Sequence, residues 1–243
     1  MRSASSHVVR PMKIEIHSDK SSVAREAAAM IAAASREVIA SRGRFIMAVS
    51  GGSTPWLMLR ALADAPLPWE HMHVVQVDER AAPAADPDRN LAHLRESLLD
   101  HAPLHRDHIY AMPVEAADLD QAAKKYALTL RGVAGVPPVL DLVHLGLGPD
   151  GHTASLVPGD PVLNVTDADV AVTGPYQGRR RMTLTFPIIN RSRRVLWLVT
   201  GREKAGALVR LRDRDPSIPA SHVLQDRALL LADRAAAQQL ETA

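Results

Sequence analysis

The sequence predicts an α/β fold built on one mostly parallel sheet with helices on both faces. Short aliphatic runs alternate with longer stretches of helical periodicity, the pattern of strands joined by crossover helices. No internal repeat or low-complexity linker interrupts the alternation, and 243 residues with 47% hydrophobic side chains suffice for one large domain. Three segments rich in glycine or charge, residues 50–54, 78–80 and 146–152, each begin where a predicted strand ends. In an open parallel sheet such ends lie along one edge, where ligand crevices form.

The elements follow in order. Residues 1–11 lack the apolar stretch of a signal peptide and read as a short disordered tail, which leaves 12–243 as a single α/β domain. Ser21 to Ser41 is Ala-rich with apolar residues at helical spacing, and Gly43 supplies a stop. Arg44 to Val49 is a buried strand, followed by a glycine turn and a helix with Pro55 in its first turn. His73 to Val77 is the second strand and Val139 to Leu145 the third. Asn90 to Asp100 and Asp118 to Arg131 read as helices. Later strands are expected at Asp169 to Thr173, Arg181 to Thr185, Val195 to Thr200 and Ala228 to Leu231, with helices starting near Glu203 and Asp233.

Composition narrows the function. Aromatics make up only 3%, so Ala, Leu and Val must fill the core. A formal charge of +2, from 29 basic and 27 acidic side chains, gives no argument for a nucleic-acid partner and leaves room for a local basic cluster facing a small acidic metabolite. The lack of cysteine removes disulfides, thiolate nucleophiles and Cys-based metal sites together. No apolar run approaches the roughly 18 residues of a membrane span, and the chain reads as soluble and cytoplasmic.

Ser50-Gly51-Gly52-Ser53-Thr54-Pro55 joins a strand to a helix. Its glycines let the backbone approach an anion, the helix offers N–H groups and its dipole, and Ser53 and Thr54 add hydroxyls. The alternative is a tight turn in which Ser53 or Thr54 caps the helix. The segment is neither a P-loop nor a GxGxxG fingerprint, so ATP and NAD are poorly supported. Arg181 and Lys204, each at the start of a predicted element, are cations that would complete an anion site.

Gly146-Leu147-Gly148-Pro149-Asp150-Gly151-His152 follows an apolar strand. Such a loop places an imidazole near backbone N–H donors, with Asp150 to orient the ring, the parts needed for attack on a carbonyl. The bland alternative is a turn stabilised by Asp150 and His152. Asp78-Glu79-Arg80 offers a carboxylate for a sugar hydroxyl or water and a guanidinium for a carbonyl or phosphate, or else forms a salt-bridged loop. His71, His73, His101, His105 and His108 show no matching carboxylate spacing and read as scattered surface residues rather than metal ligands. No Gly-x-Ser-x-Gly elbow is present, so water activated by His152 is the simplest nucleophile.

In their order these segments, with Arg181 to Thr185, Gly201 with Lys204, Pro219-Ala220-Ser221 and the stretch from Ala228 to Ala235, resemble the 6-phosphogluconolactonase family. That family lies within the wider glucosamine-6-phosphate isomerase/lactonase superfamily, and the similarity runs from about residue 13 to the C-terminus. The resemblance implies a Rossmann-like, doubly wound fold and hydrolysis of 6-phospho-D-glucono-1,5-lactone in the oxidative pentose phosphate pathway. No metal or organic cofactor is implied. It implies His152 as general base, with Arg80 positioning or polarising the substrate and Gly51, Gly52, Ser53, Thr54, Arg181 and Lys204 gripping it. The implied partner is the small phosphorylated lactone alone, bound by a monomer or weak homo-oligomer. Val157 stands where the lactonases usually have Phe, Gln76-Val77 replaces Trp-Gly, and Arg89 replaces Ser.

Two rivals differ in class. The deaminase branch of the superfamily usually has Asp-Glu-Tyr where this chain has Asp78-Glu79-Arg80. It also carries Ile-Ala-Phe-Asn-Glu-Pro where this chain has Thr153 to Pro158, so its extra glutamate is missing here. A non-catalytic sugar-phosphate sensor would have no need of Asp150 and His152.

Overall fold

The computed structural model describes residues 12–240, so the expected tail at residues 1–11 lies outside the described residues. Its strands are β1 (Lys13–His17), β2 (Phe45–Val49), β3 (Met72–Gln76), β4 (Asp78–Arg80), β5 (Ile109–Tyr110), β6 (Leu142–Gly146), β7 (Val170–Val172), β8 (Arg181–Leu184), β9 (Val195–Val199) and β10 (Ala228–Asp233). Seven of them pair in parallel in the order β1-β10-β9-β6-β2-β3-β5. The helices are α1 (Lys20–Arg42), α2 (Ser53–Ala63), α3 (Asn90–Leu94), α4 (Leu119–Ala134), α5 (Phe186–Arg191), α6 (Ala205–Arg212) and α7 (Arg234–Ala237).

Side chains alternate along each strand, so both faces of the main sheet must be apolar to be covered. On β2, Phe45, Met47 and Val49 join the cluster under α1 and α2, whereas Ile46 and Ala48 join the cluster under α4, α5, α6 and α7. The alternation of aliphatic strands and amphipathic helices therefore produced the doubly wound architecture that the sequence predicts.

Connections from β2 run outward through β3 to β5, and those from β6 run the other way through β9 to β10, which lies beside the N-terminal strand β1. The topological switch lies between β2 and β6. Residues 50–54 and 146–152 leave the sheet side by side there, which is where an open parallel sheet binds its ligands.

Several elements differ from the sequence reading. Asp78 to Arg80 are more than the end of β3: they form β4 in a second, antiparallel sheet of order β4-β8-β7. Val77 makes the transfer, its N–H bonding to Val49 O at 2.9 Å and its carbonyl accepting from Leu184 N at 2.8 Å. The helix expected to reach Asp100 ends at Leu94 and continues as a wider π turn, Arg95–Leu99. Edge strand β1, the two-residue β5 and the six-residue α5 were not anticipated, being short or only half-buried.

Candidate active site

A cleft of about 340 Å³ opens at the switch point, lined by residues 50–56, Asp78, Arg80, Asn90, Gly148, His152, Arg181 and Lys204 among others. All the sequence-selected site residues except Asp150 line it, and Asp150 lies in the adjoining outer part with His152, Arg181 and Lys204.

Between β2 and α2 only Ser50, Gly51 and Gly52 turn the chain. Gly52 is the N-cap and no side chain caps the helix. Ser53 and Thr54 belong to the first turn, so the reading in which either caps α2 is corrected. An eleven-residue helix thus presents an uncapped, positively polarised end to the cleft. Gly51 leaves room for Asn90, since a Cβ there would lie 2.1 Å from the Asn90 Oδ1 and would force that side chain to shift. Beneath the turn, Ser50 N–H donates to His144 Nδ1 at 3.2 Å. Burial pushes His144 down to about 3, which keeps it a neutral acceptor. Thr54 and Thr200 hydroxyls meet at 2.7 Å and tie α2 to the segment after β9.

The small sheet supplies the cations. Its register sets Arg80 directly opposite Arg181 and Asp78 opposite Thr183. Arg80 Nη1 donates to Asn90 Oδ1 at 3.1 Å and to the Asp88 carbonyl. Arg181 is 6% exposed, and its Nη2 donates to Gln177 Oε1 at 3.0 Å. Its buried Nε has no hydrogen-bond partner. A buried guanidinium with an unsatisfied N–H, belonging to a residue that lines a cleft, has the chemistry to take an anion. The Asp78 carboxylate accepts the Ser155 hydroxyl at 2.6 Å. Burial pushes its pKa up, while Ser155, Arg181 and Arg80 pull it back.

Glu79 serves the scaffold instead. Fully buried, it accepts N–H bonds from Arg80, Asn90 and Leu91 at 2.8–2.9 Å and from the Gln76 side chain at 2.9 Å. Arg89 Nε lies 3.3 Å from it, and Arg89 Nη1 reaches Glu115 at 2.8 Å. The residues that depart from the family pattern at 76 and 89 therefore hold the carboxylate that shapes the Arg80 loop.

The loop after β6 carries the imidazole. His152 Nδ1 lies 2.6 Å from Asp150 Oδ1, and the same oxygen accepts the His152 backbone N–H at 3.1 Å. Burial works to raise the Asp150 pKa, but hydrogen bonds and charge from His152 outweigh it and leave the group below its ordinary value. An ionised carboxylate only accepts, so in the neutral ring Nδ1 carries the proton and Nε2 keeps a lone pair. The loop's own amides are occupied: Gly148 N–H bonds to His152 O, Gly151 N–H to Gly148 O and His152 N–H to Asp150. These three amides hold the turn and are not free for a reacting carbonyl; Arg80, Arg181, Lys204 and the N-terminus of α2 are donors that line the cleft.

Lys204 follows β9 in a short 3-10 turn, its half-buried ammonium pushed below the usual lysine range by burial against the pull of Glu203 and Asp150. Asn90, Thr200 and Tyr176 were missed by sequence reasoning. Asn90 links Arg80 to the Asp78 carbonyl, and its only signal was its position at the start of a predicted helix. Of the histidines set aside as scattered surface residues, His73 is half-buried and its ring lies tilted against His108 at 4.0 Å.

Residues 18–231 match the family described as glucosamine-6-phosphate isomerases/6-phosphogluconolactonase. A 6-phosphogluconolactonase of a Synechocystis strain is 44% identical over 176 residues, 71% of this chain and 73% of that protein. One from a Nostoc strain is 34% identical over 235 residues, covering 93% and 98%. The 6-phosphogluconolactonase structure from Trypanosoma cruzi superimposes with a TM-score of 0.85 at 26% identity, covering 96% of this chain and 97% of that one. A monomeric glucosamine-6-phosphate deaminase gives 0.83 at 21% identity, over 93% and 99%, a likeness of fold alone.

Proposed function

Because this chain belongs to the glucosamine-6-phosphate isomerase/6-phosphogluconolactonase family, we propose that it hydrolyses 6-phospho-D-glucono-1,5-lactone to 6-phospho-D-gluconate. The observation that carries the reading is the sharing of one cleft by an arginine with an unsatisfied buried N–H and a carboxylate-held imidazole. The first suits the phosphate of such a substrate and the second suits its carbonyl.

In this reading the phosphate sits between the N-terminus of α2 and the cations Arg181 and Lys204, with Gly51, Gly52, Ser53 and Thr54 donating from the turn. Water lies against His152 Nε2. As it adds to the lactone carbonyl, Nε2 takes its proton and Asp150 stabilises the imidazolium. The carbonyl oxygen gathers charge in reach of Arg80. Collapse breaks the bond to the ring oxygen, which takes the proton from Nε2 and leaves as the 5-hydroxyl. Asp78 holds a substrate hydroxyl from the floor of the cleft. Water and side chains complete this cycle, and remote phosphate binding supplies orientation. The pathway is the oxidative pentose phosphate route. A monomer or weak homo-oligomer in the cytoplasm completes the reading.

No carboxylate follows His152 through Val157, which favours lactone opening over the deaminase chemistry that needs further acid–base capacity. The test is acid release from fresh 6-phosphogluconolactone, with spontaneous hydrolysis subtracted and glucosamine 6-phosphate run in parallel. Wild type should be active on the lactone alone, and His152→Ala should lose about 10²–10⁴ in kcat while remaining folded. No rate above the blank for wild type would overturn the assignment.

A further inference from the structure

One side chain touches both ends of this machinery. The Tyr176 ring meets His152 edge-on at 5.7 Å between centroids, and the Arg181 guanidinium carbon stands 4.9 Å from the centre of the same ring. The Tyr176 hydroxyl donates to Asp150 Oδ2 at 3.4 Å, the oxygen that His152 does not use. We propose that Tyr176 is a positioning residue that fixes the span between the imidazole and the anion-binding guanidinium, so that phosphate binding is converted into alignment of the carbonyl with His152. The proposal rests on the lactonase reading and adds a residue that neither the motifs nor the mechanism above requires.

The turn that carries Tyr176 is built to hold it. Tyr176 N–H donates to Arg179 O at 2.9 Å and Arg179 N–H returns to Tyr176 O at 3.3 Å. Between them Gln177 takes a positive φ of 52°, a conformation that costs a non-glycine residue about 1 kcal/mol or more and so needs support. That support is visible: Gln177 Oε1 accepts from Arg181, and Arg179 Nη1 lies 2.6 Å from Asp86. Asp86 and Asp88 belong to the segment that also receives Arg80. The turn is thus pinned at both shoulders, and the ring projects between groups that sequence separates by some thirty residues. Aromatic faces attract guanidinium groups and their edges and faces order neighbouring rings. A flat, rigid ring sets a separation that a flexible aliphatic side chain would not.

The test compares Tyr176→Phe, Tyr176→Leu and Tyr176→Met, with circular dichroism to establish folding. Two quantities are read for each: kcat on the phosphorylated lactone, and the inhibition constant of inorganic phosphate. Phe keeps the ring, so the phosphate constant should stay at the wild-type value and kcat should fall only a few-fold. Leu and Met keep bulk without a ring, so kcat should drop and the phosphate constant should rise together, each by about tenfold, the equivalent of one cation–π contact. A merely structural role would reduce the active fraction, lowering kcat while leaving the phosphate constant unmoved, and that result overturns the proposal. So does wild-type behaviour in Leu or Met, a change in only one of the two quantities in either of those two, or a Phe variant as damaged as Leu. Inactive wild type would remove the lactonase reading itself, which keeps the two failures apart.

Discussion

Arg80 and Arg181 stand directly opposite each other in the antiparallel pairing of β4 with β8. Like charges in that arrangement repel, at a cost of about 0.2–1 kcal/mol, and the buried Asp78 beside them works against that repulsion. An anion between the guanidinium groups reverses the sign. The protein should therefore be stabilised by anions of the product class: 6-phosphogluconate at about one hundred times its Kd adds about 2.7 kcal/mol. Thermal melts with and without 6-phosphogluconate measure this. Arg181→Leu should melt at one temperature in both conditions, and a ligand-induced rise that survives in that variant would remove Arg181 from the site.

The Asp150 carboxylate acts through His152. Asp150→Asn keeps the shape but removes the charge that holds the proton on Nδ1 and stabilises the imidazolium. A hydrogen bond to a charged group contributes about 1.5–3 kcal/mol, so kcat should fall by about 10- to 100-fold with KM little changed. An unaltered kcat would show that the 2.6 Å contact has no part in the reaction.

Gly148 carries a sharper prediction about geometry. A Cβ there would stand 2.1 Å from His152 Nδ1 and 2.5 Å from Asp150 Oδ1. Gly148→Ala must push the imidazole off its carboxylate, while the backbone at that position needs no positive φ. Activity should fall toward that of His152→Ala, with a melting temperature near wild type. An active Gly148→Ala enzyme would show that the ring works from another position.

The fold was legible because its signals are local and repeated. The apolar run of β2 and the helix stop at Gly43 each carry their own reason in the sequence. The site was legible where a strand end met glycine, as at Gly51 and Gly148. Tyr176 and Asn90 were not, because their roles arise from β8 folding back against β4, a long-range antiparallel pairing that no short pattern encodes. Gln76 and Arg89 looked like simple departures until Glu79 was seen to join them.

Glu79 supplies the stability prediction. Its carboxylate gathers three backbone N–H groups, the Gln76 amide and the fully buried Arg89. Glu79→Ala would leave that charge and those donors without their acceptor. Breaking a buried pair from one side costs about 3–5 kcal/mol. Chemical denaturation should register this loss, and Glu79→Gln should recover part of it by keeping one acceptor oxygen. A loss under about 1 kcal/mol for Ala would mean that Glu115 and water satisfy Arg89 alone.

Acid should weaken the fold through histidines that do not line the cleft. His73 is lowered to about 4, chiefly by burial and then by the charges of His108, Arg44 and His71. Burial lowers His144 to about 3. Above the ordinary histidine value of about 6.5 both the folded and unfolded chains hold these rings neutral, and they contribute no pH dependence. Below it the unfolded chain takes up protons that the folded chain refuses, so stability falls as pH falls, until the folded values near 4 and 3 are passed. His73→Phe keeps the ring contact with His108 while removing one titrating ring. Its melting temperature should decline less than that of wild type between pH 7 and pH 5. Parallel declines would mean that His73 takes its proton without unfolding, by turning its ring out past Tyr110, the partner that now meets its Nδ1 at 3.1 Å.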